Sequence, residues 1–251
     1  MVVLHNYLNK RNSTRGLSDS EFESLVPQLA EELAEVSFYP NFSDEVLLKS
    51  WEKLCQFTSD SNFTASTTIV GMKLCEHFFP NFYDIKNRKG VSFKNLWVGP
   101  KNLEKILRWN RKSHSTPYLS ELKRGIYFCC GLTKNTMFRP HLAKMICDAH
   151  NGNSVLDPCA GWGGRMLGSI ASGKSYIGFE PCTETYENLK RLVSYLDLSN
   201  VTLYNDVAEN MNNYDFEDVD IILTSPPYFD LEIYSSEGSE TKYSNYYDWL
   251  T

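Results

Sequence analysis

A chain of 251 residues that is 42% apolar and 14% aromatic can bury one substantial core and a second, smaller one. No segment has the apolar run of a signal peptide or of a membrane span, so a soluble, cytoplasmic protein with no membrane partner is expected. The seven cysteines (Cys55, Cys75, Cys129, Cys130, Cys147, Cys159, Cys182) are odd in number and form no C-x2-C pair, which points to reduced thiols rather than a disulfide framework or a zinc site.

A net charge of −6 argues against a nucleic-acid partner until its distribution is considered. The stretch from Lys86 to Arg124 carries eleven Lys or Arg against two acids, Glu104 and Glu121, a local +9 that leaves −15 for the rest of the chain. Clustered cations of this density, interleaved with Phe93, Trp97, Trp109 and Tyr118, are an electrostatic footprint for the phosphates of DNA. A solvated basic helix over buried aromatics is the plainer alternative.

Residues 1–17 read as a polar lead. Ser18-Asp19-Ser20-Glu21 is a capping-box pattern that opens a helix over 21–36, bent near Pro27. Further helices are expected over 44–57, capped by Ser43, and over 66–78. The aromatics of 78–83 read as core of this helical region. Gly99-Pro100 starts a basic helix that runs to about Lys112, and another over 118–130 ends at Gly131. The pattern changes near 132. Residues 1–131 are therefore assigned to a helical, partly basic domain and 132–251 to a second, α/β domain.

The second domain opens with Met137-Phe138-Arg139-Pro140-His141 and a helix to 149, on whose surface His141 is expected. Ser154-Val155-Leu156-Asp157 then reads as a strand. Pro158-Cys159-Ala160-Gly161-Trp162-Gly163-Gly164-Arg165 reads as a glycine-rich turn entering a helix, whose glycines let backbone approach a ligand. Arg165 is either a carboxylate or phosphate partner or a plain first-turn side chain. A second strand over 175–179 ends at Glu180, a carboxylate that can accept both hydroxyls of a ribose. After a helix at about 182–196, a third strand over 201–204 ends in Asn205-Asp206, able to meet the amine and edge of an adenine.

The apolar run 219–223, interrupted only by Asp220, reads as a fourth parallel strand, and it leads into Thr224-Ser225-Pro226-Pro227-Tyr228. Two successive prolines remove two backbone donors and fix two φ angles, which makes a stiff, extended elbow. The Ser225 hydroxyl and the Pro226 carbonyl are acceptors, and Tyr228 adds an aromatic face. Together they can hold a planar amine. Taken by themselves, these five residues fit a Pro-Pro turn followed by a packed tyrosine equally well.

The order of these motifs resembles that of the S-adenosylmethionine-dependent DNA methyltransferases that modify exocyclic amines, at N6 of adenine or N4 of cytosine. The run from Asp157 to Gly164 looks like the family's D-P-x-A-G-x-G cofactor loop, and Ser225-Pro226-Pro227-Tyr228 like its [DNS]-P-P-[YFW] catalytic motif. Phe138-Arg139-Pro140 is similar to the F-x-P-type motif that holds the methionine end. The likeness covers residues 134–234. It implies a Rossmann-like fold with a mainly parallel sheet, and S-adenosyl-L-methionine as cofactor held by Phe138, Arg139, Pro140, Asp157, Pro158, Ala160, Gly161, Gly163, Glu180 and Asp206. It also implies catalysis by Ser225, Pro226, Pro227 and Tyr228, with no metal. Serine at the first catalytic position leans toward cytosine. An RNA amine methyltransferase and a non-catalytic cofactor- or DNA-binding subunit remain as alternatives.

Sheets of that family continue with three more strands beyond the catalytic loop, whereas only 229–251 follow it here. The sheet is therefore expected to be incomplete, with a fourth strand exposed along its edge, and the chain to be either a fragment or one half of a split enzyme whose second polypeptide supplies the missing strands.

Overall fold

A computed structural model of the chain describes residues 7, 14–58, 68–113, 116–216, 218–227 and 232–233. Its helices are α1 (Asp19–Ala34), α2 (Asp44–Cys55), α3 (Met72–Phe78), α4 (Phe93–Trp97), α5 (Pro100–Lys112), α6 (Leu119–Cys129), α7 (Pro140–Ala149), α8 (Gly164–Ala171) and α9 (Thr183–Tyr195). The strands that concern the site are β1 (Ser154–Asp157), β2 (Ser175–Phe179), β3 (Val201–Tyr204) and β4 (Ile221–Ile222). The chain divides into two compact units, one of residues 1–38 and 83–135 and one of 39–82 and 136–251. No helix among the described residues is long and apolar enough to cross a membrane.

The first unit is helical. Ser18 caps α1 through the predicted capping box, its backbone N–H donating to Glu21 Oε2 at 2.8 Å and its Oγ accepting from the Glu21 N–H. Pro27 lies within α1, and Phe22, Val26, Leu29, Ala30 and Leu33 form its buried stripe. Phe93 and Trp97, interleaved in sequence with the cations, are core residues: they stack at 5.9 Å, are buried, and Trp97 Nε1 donates to the Val36 carbonyl at 3.2 Å. A helix that the sequence reading does not include, α4, carries them, opened by a second capping box between Ser92 and Asn95.

The second unit is α/β. Its sheet is parallel throughout, in the order β3-β2-β1-β4. Pairing runs from Ser154↔Ser175 to Asp157↔Gly178 between β1 and β2, and from Tyr176↔Val201 to Phe179↔Tyr204 between β2 and β3. Val155↔Ile221 and Leu156↔Ile222 join β1 to β4. The fourth strand is shorter than the apolar run 219–223 predicts because Asp220 turns to cap its neighbour. Asp220 Oδ2 accepts from the N–H groups of Asn153 at 2.7 Å and Ser154 at 3.1 Å, and these bonds hold its pKa below the usual carboxylate range. Among the described residues β4 lies at the sheet's edge, and Ile222 is 66% exposed.

The assignment of 39–82 to a helical domain is revised by packing. Leu47, Leu54, Leu74, Cys75 and Phe79 share one core with Val155, Met166, Leu167, Tyr176, Leu189 and Leu192, so α2 and α3 help bury the sheet's own layer. Of the aromatics at 78–83, Phe79 and Tyr83 are buried and Phe78 and Phe82 half-buried, and Phe79 and Phe82 pack edge-on to Trp162 of the glycine-rich turn. His141 is also corrected. It is fully buried and edge-on to Phe57 at 5.5 Å, on a helix whose Pro140 and Ala143 press against α8 at Gly168, which has no Cβ to keep them away.

Candidate active site at the carboxyl edge of the sheet

Parallel strands end on a common edge, and the change of direction in strand order falls between β1 and β4. In open α/β sheets the crevice outside the carboxyl ends at such a point is where ligands bind. The glycine-rich turn leaves β1 there, and the Pro-Pro elbow leaves β4 there. The Leu223 N–H donates to the Leu156 carbonyl at 3.0 Å, extending the pairing to the last residue before the elbow. Beyond it the Thr224 hydroxyl is buried. Burial pushes the half-buried Cys159 thiol up to about 11, against the opposing influence of Thr224 and Arg165.

Asp157, at the end of β1, is fully buried. Its Oδ2 accepts from Arg165 Nε and from the Tyr176 hydroxyl, each at 2.7 Å, and Oδ1 accepts from the Cys159 N–H at 3.3 Å. Arg165 Nη2 also donates to the Cys159 and Ala160 carbonyls, and its guanidinium lies 5.3 Å from the Phe138 ring. Burial works against the Arg165 charge, but Asp157 and Tyr176 more than offset it and leave the guanidinium pKa raised. Asp157 thus holds the turn from beneath and offers no surface to a ligand. Arg165 is a first-turn side chain of α8, and the carboxylate it pairs with is the protein's own.

Glu180, at the end of β2, is 8% exposed. Oε2 accepts from the Gly161 N–H and Oε1 from the Cys182 N–H, both at 2.9 Å. Burial raises its pKa to about 7 against the pull of these two donors. The Ala160 N–H donates to the Phe179 carbonyl at 2.8 Å, so the turn is stitched across the end of β2. Gly161 and Gly163 both have positive φ, 57° and 72°. They differ in surroundings. A Cβ at Gly163 would press on Phe79 and Leu192, whereas one at Gly161 would meet nothing closer than 3.7 Å. Gly161 is the glycine whose missing side chain leaves backbone open to a ligand, and Gly163 serves packing.

Asp206, after β3, accepts from the Val207 N–H, Asn210 Nδ2 and the Tyr214 hydroxyl, all at 2.8 Å, which ties down the short helical turn Ala208–Asn213. The Tyr204 and Tyr214 rings lie 4.3 Å apart beside Phe179. Phe138 is half-buried, Arg139 exposed and Pro140 buried at the start of α7, and a Cβ on Gly164 would overlap the Phe138 carbonyl, so this segment is locked onto the glycine-rich turn. Pro158 and Ser225 are half-buried and Pro226 is exposed, with Pro227 half-buried after it. Tyr228 lies outside the described residues. The motifs of the linear sequence assign no role to the side chains of Tyr176 and Thr224. A phenol inside a buried strand signals Tyr176, since such a hydroxyl requires a partner, while nothing in the letters marks Thr224.

No family model, no curated protein and no solved structure matches this chain.

Proposed function

We propose that the second unit is a Rossmann-like, S-adenosyl-L-methionine-dependent methyltransferase acting on the exocyclic amine of a base in DNA, with cytosine N4 favoured over adenine N6. The observation that carries this reading is the adjacency of β1 and β4. It brings a glycine-rich turn and a Ser-Pro-Pro elbow to one sheet edge.

The residues present fit the cofactor. Glu180 supplies a carboxylate at a strand end beside Gly161, whose N–H it accepts, and its oxygens retain lone pairs for the two hydroxyls of a ribose. Ala160 and Pro158 line the same turn, Phe138 and Pro140 brace it, and Asp206 stands at the end of the next strand. When bound, the cofactor supplies a methyl group on a sulfonium, an electrophile needing no metal. A base inside a duplex cannot reach such a site, so the target is extruded. An exocyclic amine is a weak nucleophile because its lone pair is delocalised into the ring. Ser225 Oγ and the Pro226 carbonyl, accepting its two hydrogens, favour the pyramidal nitrogen that attacks and stabilise the positive charge it gains. The amine proton leaves after transfer, to water.

The test is nucleoside analysis of duplex DNA and structured RNA after incubation with methyl-labelled cofactor. Label in N4-methylcytosine or N6-methyladenine of DNA supports the proposal, and label confined to RNA overturns the choice of polymer. Ser225→Ala is expected to lower turnover by about 10²-fold with cofactor affinity kept, the scale of losing one preorganised hydrogen-bonding group at a reacting centre. Unchanged turnover would remove Ser225 from the mechanism.

A further inference from the structure

The basic stretch does not act as one uniform patch. Lys94 pairs with Asp84, Arg108 with Glu23 and Glu104, and Arg111 with Asp19 and the Leu17 carbonyl. Lys123 donates to the Phe38 carbonyl and Arg124 pairs with Glu121. These cations hold the first unit together. Lys101, Lys105 and Lys112 are exposed and make no ion pair among the described residues. On α5 they fall on one face, opposite the buried Leu103, Ile106, Leu107 and Asn110.

Trp109 lies at the border of that face. It crosses α6 at Gly125, where a Cβ would stand 3.3 Å from the indole, and stacks on Phe128 with centroids 5.6 Å apart and planes 15° from parallel. The Arg124 guanidinium lies 5.9 Å from the indole and 5.8 Å from the Phe128 ring. Phe128 ends this short stack and is 68% exposed. Lys105 stands one turn before Trp109 on α5, at the i, i+4 spacing that makes two side chains neighbours on a helix surface.

We propose that the Trp109–Phe128 stack and the Lys101/Lys105/Lys112 face bind single-stranded DNA, one base continuing the stack on the outer face of Phe128 and phosphates following the lysines. An exposed aromatic ring that already ends a stack, next to unpaired cations, matches a polyanion whose bases are free to stack. A duplex presents its phosphates but hides its base faces. Only the choice of DNA over RNA rests on the function proposed above, since the surface is remote in sequence from Ser225 and needs no cofactor.

The experiment is fluorescence anisotropy of labelled strands of equal length (single-stranded DNA, single-stranded RNA, duplex DNA) with the full chain, without cofactor, across a salt series. Single-stranded DNA is expected to bind tightest. Phe128→Ala should weaken it by about 5- to 100-fold and Phe128→Trp should restore it, the range measured for loss of one base–aromatic stack. Lys105→Gln should make the slope of log affinity against log salt shallower by about 0.7, one phosphate's share on a single strand. Phe128 is exposed, so an unchanged thermal midpoint in Phe128→Ala separates lost binding from lost folding. Equal binding by Phe128→Ala, tighter binding of duplex or RNA, or no binding of any strand each overturns the proposal. None of these outcomes bears on methyl transfer at Ser225.

Discussion

Arg165 Nε and the Tyr176 hydroxyl both donate to one oxygen of Asp157, each at 2.7 Å, in a region with almost no solvent. A buried ion pair contributes little net stability compared with an apolar replacement of both partners, but breaking it leaves an uncompensated charge. Asp157→Ala or Arg165→Met is therefore expected to destabilise the second unit by about 3–5 kcal/mol, read as the urea midpoint. Asp157→Ala should also weaken cofactor binding, because Arg165 loses the anchor from which it holds the Cys159 and Ala160 carbonyls. If the variant kept wild-type stability, Asp157 would have to be a ligand contact after all.

Much of this edge was legible in sequence. The strands over 154–157, 175–179 and 201–204 are found where their apolar runs place them, the first two largely buried and the third half-buried, and each is bounded by turn residues. What could not be read was which side of a residue faces what. Asp157 and Gly163 look like ligand contacts in a linear motif, yet one is closed off by Arg165 and the other by Phe79. Domain membership of 39–82 was hidden for a similar reason. The amphipathic spacing of α2 and α3 specifies a buried face but not the partner, and that partner lies far along the chain, in the sheet and helices after Ser154.

Glu180 gives the site a pH dependence whose sign follows from burial. Its pKa is raised from the ordinary value of 4.5 to about 7, so the folded protein binds the proton more tightly than the unfolded chain. The favourable contribution is complete below 4.5 and is lost as pH rises through 7, on the order of 3 kcal/mol in all. Thermal midpoints without ligand should fall across that window, and Glu180→Gln should flatten the fall. Ribose hydroxyls donating to the carboxylate favour its charged form, so cofactor binding below pH 7 is expected to release a proton. Calorimetry in buffers of different ionisation enthalpy measures it, and buffer-independent heats would exclude Glu180 as the ribose contact.

The two glycines of positive φ separate packing from binding. Alanine at either position costs about 1–2 kcal/mol for the left-handed backbone. Gly163→Ala adds pressure on Phe79 and Leu192 and should be the less stable variant, with affinity largely kept in the folded fraction. Gly161→Ala should lose little beyond the backbone cost but more than tenfold in cofactor affinity, because its new methyl stands where ligand would approach. Comparing urea midpoints with equilibrium binding of the two variants checks the assignment, which the reverse pattern would reject.

The inclusion of 39–82 in the second unit rests on polar as well as apolar contacts. Asn81 Nδ2 donates to Thr185 Oγ1 and Asn188 Nδ2 donates to Asn81 Oδ1, both at 2.9 Å, with all three residues buried on or against α9. Each side chain meets another's requirement in a place water does not reach. Asn81→Ala removes both bonds at once and leaves the Asn188 amide and the Thr185 hydroxyl short of a partner, which is expected to cost roughly 1–3 kcal/mol. Hydrogen exchange locates the effect. Amides of α9 and of α3 should lose protection together in Asn81→Ala, since both elements belong to one cooperative core, while those of α1 and α5 keep theirs. Loss of protection confined to α3 would mean that the sheet's layer folds without this segment.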